Sequence, residues 1–149
     1  MTVGKVCNRE VVFIRREASV PEAARLMREY HVGDIVVVDE TTGKRVPVGI
    51  VTDRDIVLEV IAAGVNVNDV SVGDIMSNSL VTARENDSVL DTIKIMRAKG
   101  VRRLPVINDD NELSGILSVD DLIDLMSEQI ADLAKLIARE QKHEQEKRR

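Results

Sequence analysis

Two four-residue stretches, Thr52-Asp53-Arg54-Asp55 and Ser118-Val119-Asp120-Asp121, set a hydroxyl and a carboxylate three positions apart. Each follows a short apolar run, Gly49-Ile50-Val51 in one case and Gly115-Ile116-Leu117 in the other. At the start of a helix such a pair has a definite chemistry. A carboxylate accepts a hydrogen bond from each hydroxyl of a vicinal diol. A helix N-terminus, with free N–H groups and a hydroxyl beside them, suits an anion such as phosphate. The same spacing is a near relative of the capping box, and Ser19-x-x-Glu22 shows that the chain uses caps of this kind elsewhere. Spacing alone favours the cap, and one site can serve both roles.

Other reactive residue types fall into no comparable pattern. His31 and His143 have no Cys or His neighbours at ligand spacing, so no metal site is expected. Cys7, the single cysteine, has no identifiable base beside it and rules out an internal disulfide. It aligns with Met76 and reads as a small core residue. A net charge of −5 argues against a nucleic-acid partner, which calls for a basic footprint. Phe13 and Tyr30 are the only aromatic residues, too few for a base-stacking platform. A bound nucleobase would have to be held by aliphatic walls and backbone groups. No stretch is long and apolar enough to span a bilayer, and no apolar region follows Met1-Thr2-Val3-Gly4 as in a signal peptide. These features point to a cytoplasmic protein with neither membrane nor nucleic-acid partners, and to no enzyme.

The elements that position the two stretches come from a duplication. Thr2-Val3-Gly4-Lys5-Val6 is matched 69 positions later by Ser71-Val72-Gly73-Asp74-Ile75. The same offset pairs Ser19-Val20 with Ser88-Val89, Met27-Arg28 with Met96-Arg97, and Val37 with Val106. After a turn the offset falls to 66, pairing Gly49 with Gly115 and Asp55 with Asp121. Each copy reads as a short extended run (Val11–Ile14 or Leu80–Ala83) and a capped helix with inward Val20, Ala23, Ala24 and Met27, or Val89, Ile93 and Met96. A buried-type strand follows, Ile35–Val38 or Leu104–Ile107, then a polar turn, Asp39–Arg45 or Asn108–Glu112. A second strand (Val48–Val51 or Leu113–Leu117) leads into a second helix starting at Thr52 or Ser118. Gly64 is the expected C-cap at the link between copies. One copy has too little core to stand alone, so two are expected to bury their sheet faces in a pseudo-two-fold α/β (α+β) arrangement. The expected boundaries are 2–69, 70–126 and a C-terminal extension at 127–149.

This duplicated order, with Gly49-Ile50-Val51-Thr52-Asp53-Arg54-Asp55-Ile56 and Gly115-Ile116-Leu117-Ser118-Val119-Asp120-Asp121-Leu122, resembles a tandem pair of CBS (cystathionine β-synthase) domains, or Bateman module, of the stand-alone prokaryotic type. Val72-Gly73-Asp74-Ile75-Met76-Ser77 is also a common opening of such a repeat. The resemblance covers residues 2 to about 126. It implies two β-α-β-β-α repeats with adenosine ligands (AMP, ADP, ATP, S-adenosylmethionine or NAD) in clefts between them. It implies that Asp55 and Asp121 meet ribose hydroxyls and that Thr52 and Ser118 lie near a phosphate. It makes Arg54 and Arg103 phosphate candidates, with Ile14, Thr82, Ala83, Arg102 and Asp120 as further lining candidates. The basic residues are not symmetric: Arg102-Arg103 aligns with Gly33-Asp34, and Arg54 with Asp120. Asp34 and Asp120 speak against two equivalent occupied sites.

The last segment departs from the repeat. Leu122, Met126, Ile130, Leu133 and Ile137 form one stripe of a long helix, and from Arg139 to Arg149 the chain is almost wholly charged. The stripe has no counterpart in the duplicated core, so a homodimer using this helix is expected. The leading functional expectation is an adenine-nucleotide sensor that needs no obligatory cofactor, acts through dimer geometry and serves an unidentified protein target. The alternatives are a ligand-free dimerisation scaffold and a sensor of S-adenosylmethionine or NAD(H).

Overall fold

Residues 1–41 and 43–148 are described by the computed structural model of the chain. They form two units, Met1–Leu117 and a second from Ser118 onward. The first copy comprises α1 (Val3–Val6), β1 (Phe13–Arg15), α2 (Val20–Tyr30), β2 (Asp34–Thr41), β3 (Lys44–Thr52) and α3 (Asp53–Ile56), which runs on as a π-helical turn over Val57–Ile61. The second comprises α4 (Val72–Ile75), β4 (Ala83–Arg84), α5 (Val89–Lys99), β5 (Arg103–Ile107) and β6 (Leu113–Ser118), followed by the 29-residue α6 (Val119–Lys147). Each copy builds its own three-stranded sheet, in the orders β1-β2-β3 and β4-β5-β6. The mixed α/β class and the C-terminal helix are as the repeat pattern leads one to expect.

Local chemistry sets the helices. The Ser19 hydroxyl accepts a hydrogen bond from the Glu22 amide at 3.2 Å, and Ser88 accepts from Asp91 at 3.4 Å. These caps start α2 and α5. Val20, Ala23 and Met27, or Val89, Thr92 and Met96, then face inward. Ala24 does not, and is exposed. Both helices stop on a left-handed residue, Gly100 at φ 67° in one and His31 at φ 54° in the other. Gly64, at φ 69°, ends the second helix of copy one as its position suggests.

The strands are shifted from the expected ones. β1 begins at Phe13 rather than Val11, and β4 at Ala83 rather than Leu80. β2 and β3 run deep into the expected polar turn, reaching Thr41 and resuming at Lys44, with Gly43 at φ 78°. Thr42 lies outside the described residues. Within the expected charged tail, α6 is helical to Lys147, and Arg149 lies outside the described residues.

The copies interlock by exchanging their openings. The Val3 and Gly4 amides of α1 donate to Asp87 and Glu85 of copy two, at 2.9 and 2.8 Å. The Val72 and Gly73 amides of α4 donate to Ala18 and Arg16 of copy one, at 2.9 and 2.8 Å. Val72 and Ile75 accordingly belong to the core cluster of copy one, with Ile14, Val20, Val37 and Val51. Further along, Asn8 bridges to Ile116 and Ser77 to Ile50. Every one of these contacts recurs at the duplication offsets, the mark of a two-fold relation within one chain.

The exchange explains the glycine that opens each motif. A Cβ on Gly49 would stand 2.6 Å from Met76 Sδ and 2.7 Å from the Ser77 carbonyl. A Cβ on Gly115 would stand 2.7 Å from Cys7 Sγ and 2.9 Å from the Asn8 carbonyl. Only glycine lets the crossing segment approach so closely. Cys7 is half-buried there, and burial pushes its thiol up from the usual range.

Candidate functional site

Thr52 ends β3 and caps α3. Its Oγ1 accepts from the Asp55 amide at 3.1 Å, and Asp55 Oδ2 accepts from the Thr52 amide at 2.9 Å, so the box is closed from both sides. Asp55 is half-buried. Across the β2–β3 ladder Thr52 is paired with Asp34, and the Gly33 carbonyl accepts from the Asp53 amide at 2.9 Å.

Asp34 receives the Arg103 guanidinium from the other copy. Nη1 donates to Oδ1 at 3.1 Å and Nε pairs with Oδ2. The Asp34 side chain is only 14% exposed and that of Arg103 37%. Burial pushes the Asp34 carboxyl above its usual range, Arg103 offsets this in part, and the nearby Asp53 charge adds to it. Residues 34 and 103 are equivalent under the 69-position offset. The pair therefore joins two equivalent positions of opposite charge across the pseudo-two-fold axis. It brings the candidate Arg103 next to the Thr52–Asp55 motif.

The remaining candidates are more dispersed. Ser118 ends β6 and caps α6, its Oγ accepting from the Asp121 amide at 3.1 Å. Asp121 is exposed, and among the described residues its carboxylate accepts no hydrogen bond from the Ser118 amide to close the box. Arg54 is exposed, and its backbone amide donates to Asp53 Oδ1 at 2.8 Å. Arg102 and Asp120 are exposed and each is already engaged. Ile14 and Ala83 are buried at 4% and 3% exposure, while Thr82 is exposed.

Two clefts occupy equivalent places in the first unit. The first, about 580 Å³, is lined by Glu10, Val11, Val12, Phe13, Tyr30 and Val32 among others, with no cation on its wall among the described residues. The Arg45 guanidinium sits 4.0 Å above the Phe13 ring. The second, about 100 Å³, is lined by Ser77, Ser79, Leu80, Val81 and Val101, with Ile50 of the other copy and Arg103. Its aliphatic walls end on one guanidinium.

The second cleft also differs in its backbone. In copy one the Val36 amide donates to the Val12 carbonyl at 3.2 Å. The residue equivalent to Val36 is Pro105, which has no N–H to donate. The Val81 carbonyl, equivalent to that of Val12, accepts no hydrogen bond among the described residues. The cleft-lining role of residues 77–81 and the consequence of Pro105 were not singled out from sequence. The duplication offset carried the signal, since it aligns Pro105, which has no N–H, with Val36, which donates one.

Among the described residues no cluster of His, Cys, Asp or Glu could hold a metal ion, and no helix is long and apolar enough to cross a membrane.

Comparison with known proteins places this geometry. The family model described as "CBS domain" matches twice, at residues 3–62 and 72–128. An uncharacterized protein of Methanopyrus kandleri is 37% identical over 123 residues, which is 83% of this chain and 61% of that protein. The chain thus spans less than two thirds of that relative. The Bacillus subtilis CBS domain-containing protein YhcV is 36% identical over 84% of this chain and 86% of its own length. Among solved structures, a CBS domain protein from Pyrobaculum aerophilum complexed with AMP is 30% identical, with TM-score 0.71 over 82% of this chain and 90% of that one. The CBS domain pair of protein MJ0100, in complex with 5′-methylthioadenosine and S-adenosyl-L-methionine, is 25% identical, with TM-score 0.72 over 87% of this chain and 98% of that one.

Proposed function

The chain belongs to the CBS-domain family as a tandem pair, and from that premise we propose that it is a regulatory module that binds an adenosine ligand, of the AMP type, and is not an enzyme. The observation that carries this reading is the second cleft: aliphatic side chains, an unengaged backbone carbonyl and one guanidinium at its wall. Those are the groups that a flat base, its exocyclic amine and a phosphate call for. The solved relatives that hold AMP or S-adenosylmethionine support the same class of ligand.

In this reading Val81 accepts from the adenine amine and the apolar walls cover the ring. Asp55 and Asp121 take the ribose hydroxyl roles of their motifs, Thr52 and Ser118 lie near a phosphate, and Arg103 and Arg54 supply positive charge. The closed Thr52–Asp55 box leaves Asp55 Oδ1 for a ligand. Calorimetric titration with AMP, ATP, S-adenosylmethionine and NADH tests the reading. Saturable binding of at least one is expected, and no heat from any of them defeats it.

A ligand-free scaffold is the second reading. It is favoured by one observation: the box and the Arg103–Asp34 pair are already satisfied without a ligand. With one Tyr and no Trp the protein absorbs weakly near 280 nm. A co-purified adenine would therefore show as a 260 nm peak.

We also propose a homodimer in which α6 takes part. Ile130, Leu133, Leu136 and Ile137 are each at least 57% exposed on it, more apolar surface than a helix in water usually shows in one run. Truncation after Met126 is expected to halve the mass measured by light scattering at low micromolar protein. A truncated chain that stays dimeric removes α6 from the contact, and a monomeric full chain removes the dimer.

A further inference from the structure

The Asp34–Arg103 pair stands out by where it lies. Both partners lie at the junction of the copies, and the carboxylate is largely out of water. Burying an ion pair costs desolvation that its attraction offsets only in favourable geometry. The Asp34 carboxyl is pushed above its usual range, first by burial and further by the Asp53 charge, with Arg103 opposing. A pair of aliphatic residues would seal this junction at least as well. What the pair does accomplish is to occupy a guanidinium that lines the second cleft.

Arg103 offers its donors to whatever anion lies beside it. In the ligand-free protein that anion is Asp34. A phosphate entering the second cleft meets a guanidinium whose charge is already balanced, with the Asp53 carboxylate close to Asp34 as well. An uncharged ligand meets no such competition. We propose that Asp34 is a specificity-determining residue of the second cleft: it competes with a ligand phosphate for Arg103 and so sets how strongly the cleft prefers an anionic adenosine ligand to an uncharged one. The inference rests on the adenosine-ligand reading above and adds to it the residue that tunes the choice.

The test is calorimetric titration of adenosine and of AMP, at low ionic strength, into the full chain and four variants: Asp34→Asn, Asp34→Ser, Arg103→Met and the double variant Asp34→Asn with Arg103→Met. Releasing the guanidinium in Asp34→Asn is expected to tighten AMP by about tenfold, the scale of one charge-assisted hydrogen bond, and to leave adenosine within about twofold. Asp34→Ser reads the same ratio should the Asn variant fail to fold. Arg103→Met is expected to shrink the preference for AMP over adenosine. Combining it with Asp34→Asn should then change neither. A purely structural role for Asp34 would move both ligands together, and that outcome overturns the proposal. So does an unchanged AMP-to-adenosine ratio in both Asp34 variants. If the unaltered chain binds neither ligand, the adenosine reading falls and this proposal with it. If it binds both while Arg103→Met keeps the AMP preference, the specificity proposal alone falls.

Discussion

Where β2 begins, copy one has Gly33-Asp34; where β5 begins, copy two has Arg102-Arg103. Two residues further along the strand, Val36 donates a hydrogen bond that Pro105 cannot. The exchanged openings, by contrast, match contact for contact: α1 sits on copy two as α4 sits on copy one, and Gly49 is covered as Gly115 is covered. The contrast separates two kinds of residue. Those that obey the duplication hold the copies together. Asp34 and Arg103, which depart from it, lie at the second cleft and the junction between the copies. There divergence falls where a ligand would be read, beside an exchange of openings that has stayed symmetric.

The strongest way to break the comparison is to attack the symmetric part. Gly49→Ala and Gly115→Ala each drive a Cβ into a backbone carbonyl of the crossing segment, at 2.7 and 2.9 Å. Each is expected to cost about 2 kcal/mol or more in denaturant unfolding, at the upper end of overpacking. If one costs this much and the other nothing, the exchange is not reciprocal in energy.

Next come the motif carboxylates. Asp55→Ala and Asp121→Ala are each expected to weaken adenosine-ligand binding by about 1.5–3 kcal/mol at an occupied site. Their effects on folding should differ. Asp55 also closes its capping box and Asp121 does not, so Asp55→Ala should lose about 1 kcal/mol of stability beyond its counterpart. Equal melting losses would mean that the open box of copy two closes in solution. Unchanged affinity in the double variant would remove the ribose role.

The smallest effect sharpens the comparison at the ladder. Pro105→Val restores an N–H opposite the Val81 carbonyl and makes copy two resemble copy one. Stability should change by less than about 1 kcal/mol, since a regained hydrogen bond and a more flexible unfolded chain nearly cancel. Affinity for an adenosine ligand should fall about threefold to tenfold as the carbonyl is taken. Unchanged affinity would free Val81 from any part in recognition.

Much of this was readable from residues because it is local or repeated. Ser19 and Ser88 announce their helices, Gly64 its stop, and the 69-position offset the duplication. The exchanged openings were not, because Thr2-Val3-Gly4 has the same composition whichever copy it packs on, and only long-range pairing decides. The strand starts at Phe13 and Ala83 were misplaced because Val11, Val12, Leu80 and Val81 are apolar for a different reason: they wall the clefts. Ala24 fitted the helical period and is exposed, since a small residue at the edge of a stripe carries little burial either way. Thr52, Asp55 and Arg103 were candidates from the start. That Asp34 links them required knowing that positions 34 and 103 meet.

The exchanged openings have a consequence for ancestry. A single repeat donates the segment that covers a motif glycine and lacks one to cover its own, so alone it could be completed only by a second copy of itself. In such an assembly of identical chains, the residue at the position of Asp34 would face its own duplicate across the axis, and any charge there would meet its like. Joining the two copies in one polypeptide lifts that restriction. Each side of the axis can then mutate without the other, and an aspartate can come to face an arginine. The salt bridge at the junction is thus open to a chain that carries both copies and closed to an assembly of identical single repeats.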